Sequence, residues 1–332
     1  MNKRYFPGAN TGLGFVNSFA GIHPPWAEPC YTYVLKGGPG VGKNTLMKKA
    51  VEAAERSGLE VEEFRCASDP QSFDAVRIPA MGVILLDGTA PHSIDPVIPG
   101  AADEIVNLGH FVNQKEFMKK REDIKALFEA NSRCYAAAFG YLRAARELKL
   151  SAVEAAKKAL NMDLIKRDVR EIFGCYEHGA GGQRRLFSRS ITPEGVVDFS
   201  ETIFAGLRHI NISGPCGAVL MEAAMEYGGH LEFFMDPVTG DRPMHIKIDS
   251  VVLSNCDFMP DSFSVEYFIA EPLPDFINYN IEEIEALTEC ACDQISRCRE
   301  IHDEIEALYR PFVDYDRVNR ETEELFAKLG LN

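Results

Sequence analysis

Lys36-Gly37-Gly38-Pro39-Gly40-Val41-Gly42-Lys43-Asn44 follows a short apolar run, Tyr31-Thr32-Tyr33-Val34-Leu35. It precedes Thr45-Leu46-Met47-Lys48-Lys49-Ala50-Val51-Glu52-Ala53-Ala54, a segment of helix-favouring residues. Strand, glycine loop, helix is the context in which a loop seats phosphate. Glycines let the backbone turn its N–H groups inward without a Cβ clash. Those N–H groups, with the helix N-terminus behind them, attract an anion. Gly37, Gly38, Pro39, Gly40, Val41, Gly42, Lys43, Asn44 and Thr45 are therefore the expected nucleotide-binding residues, with Lys43 reaching the outer phosphates. The pattern G-x-x-x-x-G-K-[ST] holds through Lys43 and then meets Asn44 where a hydroxyl would contact Mg²⁺. An Asn carbonyl oxygen is a neutral ligand for such a hard cation.

Downstream, Val83-Ile84-Leu85-Leu86-Asp87 is an apolar run ending in a carboxylate. This is the form of a Walker B element, and it makes Asp87 the second expected metal residue beside Asn44. Asp69, Asp74, His92 and Asp95 are the polar candidates expected on nearby loops, which line the site at strand C-termini in such sheets. Asp69 and His92 are the candidate bases, and Lys43 and Asp87 complete the expected catalytic set. Asp69 and Asp95 precede prolines, which is also ordinary turn chemistry.

The chain of 332 residues has room for two domains. Its formal charge of −15 and lack of a basic block disfavour nucleic-acid binding. No apolar run reaches membrane-spanning length. Met1–Pro7 lacks the apolar core of a signal peptide, so a cytoplasmic protein is expected, its nine cysteines reduced.

Short stretches recur. Arg4–Val16 and Arg185–Val197 share Arg, Phe, Thr, Gly and Val at the same offsets. Gly38-Pro39 corresponds to Gly214-Pro215, Gly58–Phe64 to Gly228–Phe234, Asp69-Pro70 to Asp236-Pro237, and Val83–Asp87 to Val251–Asn255. The second copy lacks the loop lysine and carries Asn255 in place of Asp87. An internal duplication is the reading, with one intact site and one degenerate lobe. Each lobe is expected to be α/β with a mainly parallel sheet, and to end in a helical hairpin. The expected division is a first lobe at 1–173, a glycine-rich linker at 174–184 and a second lobe at 185–332. Ile124, Ala138, Leu142 and Ala145 mark one helical seam, running from Phe117 through Phe128 and Tyr135, with a second helix expected from Ala152 to about Ile172. Ile284, Ala291, Ile295, Cys298, Ile305 and Leu308 mark another seam, followed by a helix from about Val318 to Leu329.

Gly-Ala-Asn-Thr at 8–11, the glycine loop, Cys66-Ala67-Ser68-Asp69-Pro70 and Asp87-Gly88-Thr89-Ala90-Pro91-His92 together resemble a bacterial family of duplicated P-loop ATPases of unassigned cellular role. The likeness covers nearly the whole chain. Members have Ser or Thr after the loop lysine and often a second P-loop; this chain has neither. The resemblance implies ATP and Mg²⁺ as ligands and hydrolysis as the reaction. No Asn-Lys-x-Asp run is present, so adenine is the default base. A small-molecule kinase and a non-hydrolysing nucleotide-responsive regulator are the alternatives. The long helices allow a homodimer or a protein partner.

Overall fold

The computed structural model describes residues 2–174, 182–226, 230–256, 260–262 and 264–331. Most of the expected linker, 175–181, lies outside them. The first half runs β1 (Lys3–Tyr5), β2 (Gly8–Thr11), β3 (Gly14–Asn17), β4 (Tyr31–Lys36), α1 (Lys43–Arg56), β5 (Glu62–Cys66), β6 (Asp69–Ile78), β7 (Val83–Asp87), β8 (Asp103–Asn107), α2 (Gln114–Phe117), α3 (Arg121–Ala159) and α4 (Met162–Phe173). The second runs β9 (Gln183–Leu186), β10 (Arg189–Thr192), β11 (Gly195–Asp198), α5 (Ser200–Phe204), β12 (Arg208–Asn211), α6 (Gly214–Ala224), β13 (Leu231–Met235), β14 (Pro243–Ile248), β15 (Val251–Ser254), α7 (Phe276–Tyr309) and α8 (Tyr315–Leu329).

The chain is α/β, built on mixed sheets rather than mainly parallel ones. One sheet has the order β1-β5-β6-β7-β4-β8 and the other β9-β13-β14-β15-β12, read from the same end. Position by position, the five shared places agree in direction. β1/β5 and β9/β13 are parallel, the next two pairings are antiparallel in each sheet, and β7/β4 and β15/β12 are parallel. The antiparallel strand follows from short connections: β5 to β6 and β6 to β7 leave no room for a crossover helix. The hairpins β2–β3 and β10–β11 also match in detail. Thr11 Oγ1 donates to the Gly14 carbonyl (2.8 Å) and accepts from the Leu13 N–H (3.0 Å), while Thr192 Oγ1 donates to Gly195 (2.8 Å) and accepts from Glu194 (3.1 Å). Gly14 and Gly195 have φ of 94° and 95°, a region that only glycine enters freely.

The sheets face each other across a shared apolar layer. Tyr5, Val34, Phe64 and Leu86 from one meet Leu186, Phe234 and Val252 from the other. Phe6 and Phe187 pair antiparallel where the halves meet, exchanging N–H···O bonds of 2.9 and 3.0 Å. On the outer faces, α1 buries Leu46, Met47, Ala50 and Ala54 against β4, β6 and β7. The helix α6 buries Val219, Leu220 and Ala224 against the second sheet.

The helical hairpins do not stay with their own halves. Ile165, Val169 and Phe173 of α4 join the apolar cluster of α6, and Val318 and Leu325 of α8 join that of α1. The hairpin β2–β3 likewise packs Ala9, Phe15 and Val16 into the second cluster. The packing units are therefore not the sequence intervals 1–173 and 185–332. The physical reason is that α3 and α7 lie along each other and carry their hairpins across. The helix expected from Ala152 is the continuation of α3, which runs unbroken to Ala159. The break falls at Asn161, whose side chain accepts from the N–H groups of Asp163 and Leu164 (both 3.2 Å) and so caps α4. On the expected seams Ile124, Ala138, Leu142, Ala145, Ala291, Ile295, Cys298 and Ile305 are buried, whereas Phe128 is exposed and Phe117 lies in α2. Among the described residues no helix is long and apolar enough to cross a membrane.

Candidate functional site

β4 is flanked by β7 and β8, so its C-terminal end opens into the glycine loop at the middle of a parallel segment. Gly37, Gly40 and Gly42 take φ of 145°, 71° and 106°, bending the chain back onto the start of α1. Lys43 is the first residue of that helix and is 9% exposed. Its Nζ lies under the loop, donating to the carbonyls of Gly37 (2.6 Å) and Gly38 (3.0 Å), and stands 3.6 Å from Asp87 Oδ2. Burial pulls the Lys43 ammonium below its usual range, against the attraction of Asp87 and Glu306. Asp87 is opposite Leu35 in the β4–β7 register, which brings this carboxylate to the loop. Its Oδ1 accepts from the backbone N–H (3.0 Å) and the hydroxyl (2.6 Å) of Thr89. Val41 anchors the loop in the core beneath, and Thr45 is exposed on the first turn of α1. Pro39 lies half-buried at the turn.

Asn44 faces β6 instead. Its Oδ1 accepts from the Phe73 N–H (3.1 Å) and its Nδ2 donates to Ser72 Oγ (3.0 Å). Asp69 is committed too: Ser72 and Arg299 of α7 both donate to its carboxylate, and it is held below the usual carboxylate range despite some burial. Asp236, its counterpart in the second half, is paired in the same way with Lys149 of α3. Each long helix thus delivers a cation to the Asp-Pro turn of the other half. Asp95 pairs with Lys36 (2.8 Å), whose ammonium also ties down the carbonyls of Gly88 and Ile94.

Two groups beside Asp87 are buried and only partly paired, Asp74 keeping a hydrogen bond with the Cys66 thiol. Asp74, on β6 rather than on a loop, is 3% exposed and its Oδ2 has no hydrogen-bond partner. Burial, with the Asp87 charge added, pushes its carboxyl up to about 7. His92 is 6% exposed, stacks on Phe19 at a ring separation of 4.4 Å, and places Nε2 4.0 Å from Asp74 Oδ1. Its Nδ1 is unpartnered, and burial pulls the ring down to about 4, so it is neutral at physiological pH.

The outer wall of the loop comes from the far end of the chain. A Cβ on Gly38 would lie 2.3 Å from the Tyr309 ring, so only glycine permits this approach. Tyr315 Oη donates to the Gly40 carbonyl (2.8 Å), and the Cγ of Arg310 lies beside Gly40. Phe117 packs on Tyr309 with ring centroids 4.3 Å apart. No local motif announces Tyr309, Arg310 or Tyr315; they lie about 270 positions from the loop they touch.

In the second half the corresponding turn is closed from within. The Asp261 carboxylate accepts from the Ser213 N–H (2.8 Å), Ser213 Oγ (3.2 Å) and Asn211 Nδ2 (3.1 Å) at the start of α6. Among the described residues no three His, Cys, Asp or Glu side chains are grouped to hold a metal. A magnesium ion arriving on phosphates needs only one or two carboxylates, and the Asp87–Asp74 pair with its orphan oxygen fits that demand; Asn44, engaged by Phe73, does not. Compared with known proteins, the chain matches no family model, no curated protein and no solved structure.

Proposed function

We propose that the loop from Gly37 to Thr45 binds the phosphates of a nucleoside triphosphate, taken to be ATP. The observation that carries this reading is Lys43, buried under a glycine loop at a helix start with Asp87 3.6 Å from its ammonium. The α1 N-terminus behind the loop would favour a polyphosphate, for which Lys43 would exchange the two backbone carbonyls it now holds. Asp87, with Asp74 beside it, would hold the water shell of a nucleotide-borne Mg²⁺. That ion, when bound, neutralises charge on the phosphates. Asp74 and His92 are the buried groups able to orient a nucleophile for slow or regulated hydrolysis. The matched sheet orders and hairpins support descent of both halves from one P-loop NTPase-like unit, the second having kept the fold and lost the site.

A regulator that binds without turnover is the second reading. Asn44 favours it, because a side chain spent on Phe73 supplies no metal ligand. Calorimetry with ATP, GTP and Mg²⁺, paired with phosphate release, tests both. Lys43→Ala is expected to weaken ATP binding about 30-fold or more, as expected when one partner of a buried charged pair is removed. Unchanged affinity in that variant refutes the site. Phosphate release that disappears in Asp87→Ala selects the hydrolytic reading; binding without release selects the regulator.

A further inference from the structure

A cavity of about 340 Å³ opens in the second half between α5 and the sheet, remote in sequence from the glycine loop. Phe204, Ala205 and Leu207 give it apolar walls, Glu201 and His209 also line it, and Ser200, His245 and Ser254 face into it. The three polar groups form a chain. His245 Nδ1 is 3.0 Å from Ser254 Oγ, and Nε2 is 3.5 Å from Ser200 Oγ. Burial pulls the imidazole down to about 4, so the ring is neutral and one nitrogen carries a lone pair. Asp198 accepts the Ser200 N–H (2.7 Å) and is the charge that most favours a proton on His245.

The fold does not require these residues. Counting inward from Ile78↔Val83 in one sheet and Ile248↔Val251 in the other, the third pair is Ala75↔Leu86 in the first and His245↔Ser254 in the second. Ala75 and Leu86 belong to the apolar layer between the sheets. The same architecture therefore stands with an apolar pair at this place. The second half instead has a histidine fixed by one serine and aimed at another, with a cavity in front.

We propose that this cavity is an acyl-transfer site, with Ser200 as nucleophile, His245 as its base and Ser254 as the residue that orients the imidazole. The walls suit a short, uncharged carboxylic ester. Ser200 Oγ forms a bond to the ester carbonyl carbon as its proton passes to His245 Nε2. The carbon–oxygen bond to the alcohol breaks, and the alcohol leaves with that proton. Water then adds to the acyl-serine, His245 takes a proton from it and returns it to Ser200, and the carboxylic acid departs. Nucleophile–base distances of this length shorten when substrate is bound.

The test is labelling of the intact chain with a fluorophosphonate probe, read by peptide mass spectrometry, together with the p-nitrophenolate burst from p-nitrophenyl acetate. One adduct per chain on Ser200 and a burst of one equivalent are expected, both abolished in Ser200→Ala. His245→Gln is expected to slow labelling about 100-fold or more. Ser254→Ala keeps the base but frees its ring, and is expected to slow labelling about 10-fold, with Ser254→Thr recovering most of the rate. Absence of an adduct on Ser200 in the folded parent overturns the proposal. So does labelling as fast in Ser254→Ala as in the parent, a result that remains decisive if His245→Gln does not fold.

Discussion

Replacing Asp74 with Asn asks whether the loop-side carboxylates are as crowded as the geometry says. Asp74 is 3% exposed, has an unpartnered Oδ2 and lies beside Asp87; its carboxyl is held up to about 7 instead of its usual 3.8. At about 1.4 kcal/mol for each tenfold change, an ionised Asp74 costs the fold about 4 kcal/mol at most. Below pH 3.8 the acid is protonated in folded and unfolded chains alike, and the penalty is absent. Between 3.8 and 7 the unfolded chain sheds the proton while the folded chain keeps it, so stability falls as pH rises. Above 7 the loss is complete. Asn is isosteric and never ionises, and its amide can donate to Asp87. The variant is therefore expected to match the parent near pH 4 and to exceed it at pH 8.5 by about 2–4 kcal/mol. In a chain of 332 residues this is about 3–6 °C in Tm. Thermal unfolding at pH 4, 6 and 8.5 without nucleotide measures it. A difference that does not change with pH, or a parent that is the more stable at pH 8.5, refutes the crowding argument.

Three further outcomes follow from named contacts. Tyr315→Phe deletes the hydroxyl that donates to Gly40; ATP affinity should fall about fivefold, worth about 1 kcal/mol, with little change in Tm, and an unaltered Kd would contradict the clasp. Asp261→Ala removes the carboxylate that closes the second turn; stability should drop by about 1–3 kcal/mol, while calorimetry still counts one ATP per chain, because no lysine stands there. Truncating the chain before α8 uncovers the surface on which Val318 and Leu325 of α8 and Leu331 beyond it rest; at about 1.5–3 kcal/mol each, the loss of about 5–9 kcal/mol is of the order of a whole domain's stability. The truncated chain should lose cooperative unfolding of its first half, and a sharp, parent-like transition would show that α8 is dispensable.

The glycine loop was legible because its chemistry is local. Lys43 must follow Gly42 at a helix start, and Asp87 must end an adjacent strand; both requirements leave marks within a few residues. The recurrence of Thr11 and Gly14 as Thr192 and Gly195 was legible for the same reason, since a tight turn dictates residue types at fixed offsets. What stayed hidden depends on tertiary position. Asp69 reads as a candidate base until Arg299, 230 positions on, is found against it. Asn44 reads as a metal ligand until β6 presents the Phe73 N–H to it. Asp74 was one polar candidate among four, and nothing local marks it as the acid whose Oδ2 is left without a partner beside the loop. The crossing of the hairpins has no sequence signal either: a heptad-like stripe says that a helix packs, and is silent about which core receives its partner.

That crossing bears on how the glycine loop is held. α1 completes its core only when Val318 and Leu325 arrive from the last helix, and Gly38 and Gly40 are backed only when Tyr309 and Tyr315 do. The second core waits in the same way on Phe6 and Ala9 from the start of the chain. Neither half therefore completes its apolar surface from its own contiguous sequence, and the closing contacts span nearly the full length of the chain. The glycine loop set in such a frame is pinned from two sides: by its own strand from below and by the opposite half's hairpin from outside. Lys43 is buried under a loop that is itself backed by this wall, and its ammonium leans on Asp87 and on backbone carbonyls.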